Sequence, residues 1–182
     1  LAVQYNNFRI TVPNNICDRI IKDNESLDII EATIESGNND KSRRSSKISW
    51  VPQNKFPKVL KNYINTANKT FNFSLKEFES LQYTRYKKDD HYNWHTDTHS
   101  KPYRNGMIRK LSFTLCLNDE FEGGDFKICV PHPIVDKTTE ETIKLKKGEM
   151  IIFPSHTWHK VDKVTKGIRK SLVGWVVGKL WI

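Results

Sequence analysis

The stretch from Phe78 onward constrains the fold most. It breaks into short runs of alternating apolar and polar residues: ESLQYTRY, KLSFTLCLN, GDFKICV, TIKLKKG, EMIIFPS, HKVDKVT and RKSLVGWVVG. A period of two marks strands with one buried face. Turn formers separate the runs, among them Asn105-Gly106, Gly123-Gly124 and Lys147-Gly148. Upstream, two segments carry helical periodicity. Over residues about 13–35, Pro13 suits a helix start, and Ile16, Ile20, Ile21, Leu27, Ile30 and Ile34 form an apolar stripe. Over about 54–69, Phe56, Val59, Leu60, Tyr63 and Ile64 do the same. Seven or eight strands after two helices predict an α+β fold whose β part is a sandwich or barrel of jelly-roll type.

The chain has 182 residues and no internal repeat, so a single domain over 1–182 accounts for it. Helical support is expected over about 13–70 and the strand core over about 78–180. The polar stretch ESGNNDKSRRSSK (35–47) reads as a mobile loop. No apolar run is long enough to cross a membrane, and the first residues lack the parts of a signal peptide. Cys17, Cys116 and Cys129 show no CxxC spacing, which argues against a disulfide framework and favours a reducing, intracellular setting. The net charge of +9 could attract nucleic acid or an acidic partner. Because the basic residues are not interleaved with aromatics on one element, a solvated surface is the plainer reading.

The densest chemistry lies in WHTDTH (94–99). In a strand, His95 and Asp97 share a face, and His99 lies on it too. A third ligand must come from elsewhere. His132, His156 and His159 are the candidates, and His159 is the best placed, just after one apolar strand and opening the next. Two imidazoles and a carboxylate on one side of a metal leave positions open, as in non-haem Fe(II) oxygenases. Arg169 and Ser171 also share a strand face. An arginine can grip a carboxylate bidentately, with the serine hydroxyl beside it, which suits a dicarboxylate whose other end chelates the metal.

Taken together, HTD (95–97), RKLSFTLCLND (109–119), FEGGDF (121–126) and FPSHTWHKVDKVTKGIRKSLVGW (153–175) resemble the Fe(II)/2-oxoglutarate-dependent oxygenases. The closest branch is prolyl 4-hydroxylase-like, including the PKHD-type hydroxylases. The resemblance covers about residues 80–178. It implies a double-stranded β-helix, a jelly roll with N-terminal helices packed on one sheet. It implies His95, Asp97 and His159 as iron ligands, and Arg169 with Ser171 beside it for the far carboxylate of 2-oxoglutarate. Tyr86, Thr114 and Cys116 fall near the cosubstrate; some relatives carry tyrosine where Cys116 stands. Tyr92, Arg109 and Trp175 match substrate-side positions, with plain core packing the alternative for Trp175 and a surface charge for Arg109. His99 has no counterpart and reads as a bystander at the rim.

The implied cofactors are Fe(II), 2-oxoglutarate and O2, with ascorbate as an optional accessory. The implied reaction is hydroxylation of a prolyl residue in a peptide or protein, with succinate and CO2 as coproducts. Segments 36–47, 87–93, 98–108 and 131–141 are candidate lids. Three rivals stand beside this reading. A nucleic-acid demethylase would use the +9 charge, but RKSLVGW lacks the second arginine such enzymes carry. The others are a free amino-acid hydroxylase and a barrel that binds metal without catalysis.

Overall fold

The two longest strands, β8 (Met107–Cys116) and β15 (Arg169–Lys179), lie side by side and antiparallel, from Ser171 opposite Cys116 to Lys179 opposite Met107. Their interior residues are almost all buried, so they form the spine of the molecule. The structure is a computed structural model that describes residues 7–34, 37, 39–52, 55–99, 101–103, 105–131 and 138–180.

The other elements, in order, are β1 (Phe8–Thr11), α1 (Asn14–Asn24), β2 (Ile30–Glu31), β3 (Arg44–Ser45), β4 (Lys47–Val51), α2 (Lys58–Phe71), β5 (Glu77–Phe78), β6 (Leu81–Tyr86) and β7 (His91–His95). After β8 come β9 (Phe121–Gly123), β10 (Phe126–Pro131), β11 (Thr138–Ile143), β12 (Glu149–Pro154), β13 (His159–Val161) and β14 (Val164–Gly167), and β15 closes the chain. Among the described residues, the larger sheet runs β1-β12-β8-β15-β6-β4-β2, with β5 also on β15. A second sheet runs β11-β10-β13-β7-β3, and β14 pairs with β9. Two antiparallel sheets with a core between them are a jelly-roll arrangement. With two helices among the described residues, the molecule is mainly β.

A buried apolar cluster joins Cys17 and Ile20 of α1 and Leu60, Ile64 and Ala67 of α2 to strand residues such as Leu111 and Leu172. A second cluster, including Phe126, Ile128, Phe153 and Val161, lies between the sheets. It floors the region where the candidate site sits.

The structure corrects several sequence expectations. The first helix is Asn14–Asn24, not about 13–35. Asn24 is buried, its amide donating to the Ile20 carbonyl at 2.7 Å, and the chain then turns, Leu27 N–H donating to Asn24 O. The β-branched Ile29 and Ile30 follow extended geometry. Both are exposed, and Ile30 belongs to the edge strand β2. The support over 13–70 therefore contains strands as well as helices, and the larger sheet draws β1, β2 and β4 from outside the expected 78–180 core. The second helix starts at Lys58 rather than 54, because Pro57 fixes the first turn. It ends where Asn72 takes a left-handed conformation and the Asn68 side chain bonds both backbone groups of Phe73. HKVDKVT divides into β13 and β14. The strand expected at TIKLKKG lies earlier, at 138–143. Segment 87–93 is no lid: its second half is β7. The 35–47 loop ends in β3, with Arg44 buried.

Candidate metal and dicarboxylate site

β7 and β13 pair so that His95 stands directly opposite His159. Sixty-odd residues of sequence separation thus collapse to adjacent imidazoles, with ring centroids 4.1 Å apart. Asp97 is not in the strand but just beyond it, held by its N–H donating to the Ser155 carbonyl at 2.8 Å. Its Oδ1 lies 3.7 Å from His95 Nε2, and its Oδ2 lies 3.5 Å from His159 Nε2. The three ligand atoms fall within 4.8 Å of one another, and this trio is the metal-capable group found among the described residues.

Each imidazole turns Nδ1 toward the backbone carbonyl two residues earlier. His95 faces Asn93 O at 2.8 Å, and His159 faces Thr157 O at 2.9 Å. That contact sets the tautomer and leaves the Nε2 lone pair for a cation. Burial, reinforced by His159, pushes the His95 pKa well down, so the ring is a neutral ligand at physiological pH. Burial alone would raise the Asp97 pKa. His159, His95, Arg109 and the Ser112 hydroxyl outweigh it and hold the carboxyl below its usual range. The site therefore sets an anionic oxygen between two imidazoles whose Nε2 atoms face it, a donor set that fits a borderline divalent ion.

The cation sits on the other sheet. Arg169 opens β15 opposite Tyr86 and is 1% exposed. Its Nη1 donates to Ser171 Oγ at 3.2 Å, and its guanidinium carbon lies 5.6 Å from the Tyr86 ring centre. Nη2 is buried without a hydrogen-bond partner, and no carboxylate pairs with this guanidinium among the described residues. Leaving such a donor unmet is costly, so the geometry fits the carboxylate of a bound anion. Gly124 makes room: at φ +64° it has no side chain, and an added Cβ would stand 2.9 Å from Arg169 Cδ.

Both halves face one cavity of about 280 Å³. Tyr86, Thr114 and Ser171 line it alongside the trio and Arg169. Cys116 does not: its Sγ donates to Asn118 O at 3.3 Å, and it is fully buried behind the wall. Tyr92 also lines the cavity, its ring stacked on His95 at 3.5 Å between centroids. Arg109 grips Glu79 through Nε and Nη2, the shortest contact being 2.7 Å. Its guanidinium carbon lies 3.9 Å over the Trp175 ring. Trp175 Nε1 is buried without a partner. His99 lines the cavity without joining the trio, its ring 5.4 Å from Tyr103. His156 is exposed and outside the trio. His132 lies outside the described residues, as do 132–137 of the expected 131–141 lid.

Sequence reasoning missed Glu79, which orients Arg109 and accepts a bond from Tyr103 at 3.0 Å. It also missed Arg44, Gln82 and Trp50, all on the cavity wall. None belongs to a motif. Their signal lies in strand register: Trp50 stands opposite Gln82 in the larger sheet.

Comparison with known proteins gives a consistent picture. The model of the 2OG-Fe(II) oxygenase superfamily matches residues 81–177. A PKHD-type hydroxylase of Idiomarina loihiensis is 34% identical over 103 residues, 56% of this chain and 43% of that protein. Another, from Prochlorococcus marinus, is 34% identical over 143 residues, 76% of this chain and 58% of its own length. The chain spans about half the length of the curated relatives it matches. Among solved structures, a prolyl-4-hydroxylase of Pseudomonas putida superposes with a TM-score of 0.70 at 18% identity, covering 95% of this chain and 93% of that one. A prolyl hydroxylase of Trichoplax adhaerens, in complex with a peptide fragment of a hypoxia-inducible factor, gives 0.73 at 15%, covering 95% and 84%. At these identities the likeness is one of fold.

Proposed function

Because the chain belongs to the 2OG-Fe(II) oxygenase superfamily, we propose that it hydroxylates a prolyl residue within a peptide or protein, with succinate and CO2 as coproducts. The observation that carries the reading is one cavity with two histidines from paired strands, a carboxylate just beyond one of them, and a buried arginine of the other sheet with no carboxylate partner among the described residues. Iron bound with 2-oxoglutarate and O2 supplies the oxidising power in this superfamily; the protein supplies placement.

His95, Asp97 and His159 would hold the metal on one side and leave its other positions open to the cavity. Arg169 would take the far carboxylate of 2-oxoglutarate, with Ser171 fixing the guanidinium and Tyr86 and Thr114 walling the cosubstrate. Cys116 acts at most by shaping the wall behind Arg169. On the substrate side, Tyr92 and Trp175 line the cavity and would border a pyrrolidine ring with their edges, because His95 and Arg44 lie on the Tyr92 ring and Arg109 lies on the Trp175 ring. Arg109, oriented by Glu79, lines the cavity and would donate to a substrate carbonyl. Aromatic walls suit proline, which has few polar atoms to satisfy.

A peptide is favoured over a free amino acid by a neighbouring groove. Trp50 lines both the cavity and a second depression formed with Glu77, Phe78, Glu79 and Ser80. An extended chain could run past the reacting residue there. The peptide bound to the Trichoplax adhaerens enzyme supports the same view.

The test is incubation with Fe(II), ascorbate, 2-oxoglutarate and proline-containing peptides, read by mass, with His95→Ala as control. The expected product is heavier by one oxygen on proline, in the wild type alone. Succinate without peptide product would reject the prolyl assignment and move the search to methylated nucleic acid and free amino acids. The absence of both would reject catalysis.

A further inference from the structure

The metal ligand His95 is braced by a second layer that starts outside the family-matched region. Tyr92 lies nearly parallel to the His95 imidazole, at 13° and 3.5 Å between ring centres. On the Tyr92 ring, in turn, lies the Arg44 guanidinium, 4.5 Å from its centre. The pairing of β3 with β7 sets Arg44 opposite Tyr92, so backbone register builds this stack.

Arg44 is itself immobilised. Nε donates to Ser46 Oγ at 3.1 Å, Nη1 to the Thr33 carbonyl at 3.2 Å, and Nη2 to Gln82 Oε1 at 2.7 Å. It is 8% exposed. A guanidinium with all three nitrogens engaged and its flat face on an aromatic ring has little freedom left.

We propose that Arg44 is a positioning residue for the metal centre, holding Tyr92 flat against His95 and so fixing the His95 ring for coordination. The His95 ring is held on several sides: Nδ1 contacts Asn93 O, His159 and Asp97 lie against it, and the Tyr92 face sets its plane. Without Arg44, Tyr92 could swing off the imidazole.

The expected effect of removing Arg44 is opposite in sign to simple electrostatics. Arg44 is a cation near a cation site, so charge repulsion alone says that removing it should tighten metal binding. Positioning says that removal should loosen it, because partners that orient metal ligands are worth about 10–100-fold in affinity.

The experiment is calorimetric titration of Mn(II) into wild-type protein and into Arg44→Ala, Arg44→Gln and Arg44→Lys, with circular dichroism and thermal melting to confirm folding. Arg44→Ala and Arg44→Gln should bind Mn(II) about 10-fold more weakly. Arg44→Lys, which restores a cation over Tyr92 but not the three-way fork, should fall between them and the wild type. Arg44→Ala added to Tyr92→Leu should cost nothing further, since the brace acts through the Tyr92 ring. Equal or tighter binding in a folded variant would overturn the proposal, as would the same loss with and without Tyr92. Should Arg44→Ala fail to fold, Arg44→Gln and Arg44→Lys carry the test. The readout is metal affinity, so it stands whether or not proline is the substrate.

Discussion

Arg169 is nearly fully enclosed, yet one of its terminal nitrogens has no acceptor. Ser171 and the Tyr86 ring satisfy the guanidinium only in part, and a ligand carboxylate would complete its pairing. Arg169→Ala should therefore weaken 2-oxoglutarate binding by roughly 2–5 kcal/mol. It would appear as a large rise in the cosubstrate concentration needed for turnover, with metal affinity little altered. An unchanged requirement would remove Arg169 from the cosubstrate site. Gly124 offers a gentler probe of the same contact. At φ +64°, with Arg169 Cδ 2.9 Å from a would-be Cβ, Gly124→Ala must strain the backbone and push the guanidinium. Strain of about 1–3 kcal/mol is expected, and 2-oxoglutarate binding should suffer without any change in charge. At this scale much was legible: the i and i+2 spacing of Arg169 and Ser171 matches the hydrogen bond observed between them. Glu79 was not, because an isolated acidic residue carries no spacing signal until the fold brings Arg109 to it.

Strand register does what spacing cannot. The pairing of β7 with β13 places His95 against His159, and no local pattern in either strand encodes that match. Period-two alternation showed β6, β12 and β15 well, because each is long enough to repeat. It failed for β2 and β3, which have two residues apiece and so no period. The apolar stripe across 13–35 also misled: Ile30 is exposed on an edge strand rather than part of a helix face. The turn from β14 into β15 gives a prediction at this scale. Gly167 has φ +74°, and a Cβ there would stand 2.2 Å from the Glu120 carbonyl oxygen. Gly167→Ala should destabilise the fold by about 2 kcal/mol or more, lowering the melting temperature. Since Arg169 lies two residues beyond, the cosubstrate requirement should rise as well. A variant that melts like the wild type would show that the turn accommodates the side chain.

The two sheets contribute different halves of the site: metal ligands from the smaller one and the anion-binding arginine from the larger. That division was not visible in the sequence, where HTD, His159 and Arg169 form one ordered series. It has a consequence for the stability of the whole fold. The trio comes from β7, β13 and the segment held by Ser155, so a bound ion ties together pieces that otherwise rely on a few hydrogen bonds and the Phe126–Phe153 cluster. A ligand that binds only the folded state stabilises it by RT ln(1 + [L]/Kd), about 2.7 kcal/mol at a hundredfold excess over Kd. For a chain of this size each kcal/mol moves the melting temperature by about 2–4 °C. Saturating Mn(II) should therefore raise it by roughly 5–10 °C in wild type, and chelator should reverse the gain. His159→Ala should melt at the same temperature with and without metal. 2-Oxoglutarate added with Mn(II) should raise the wild type further, and that second increment should be absent in Arg169→Ala while the metal increment persists. Loss of both increments in Arg169→Ala would mean that the two halves of the site cannot be separated.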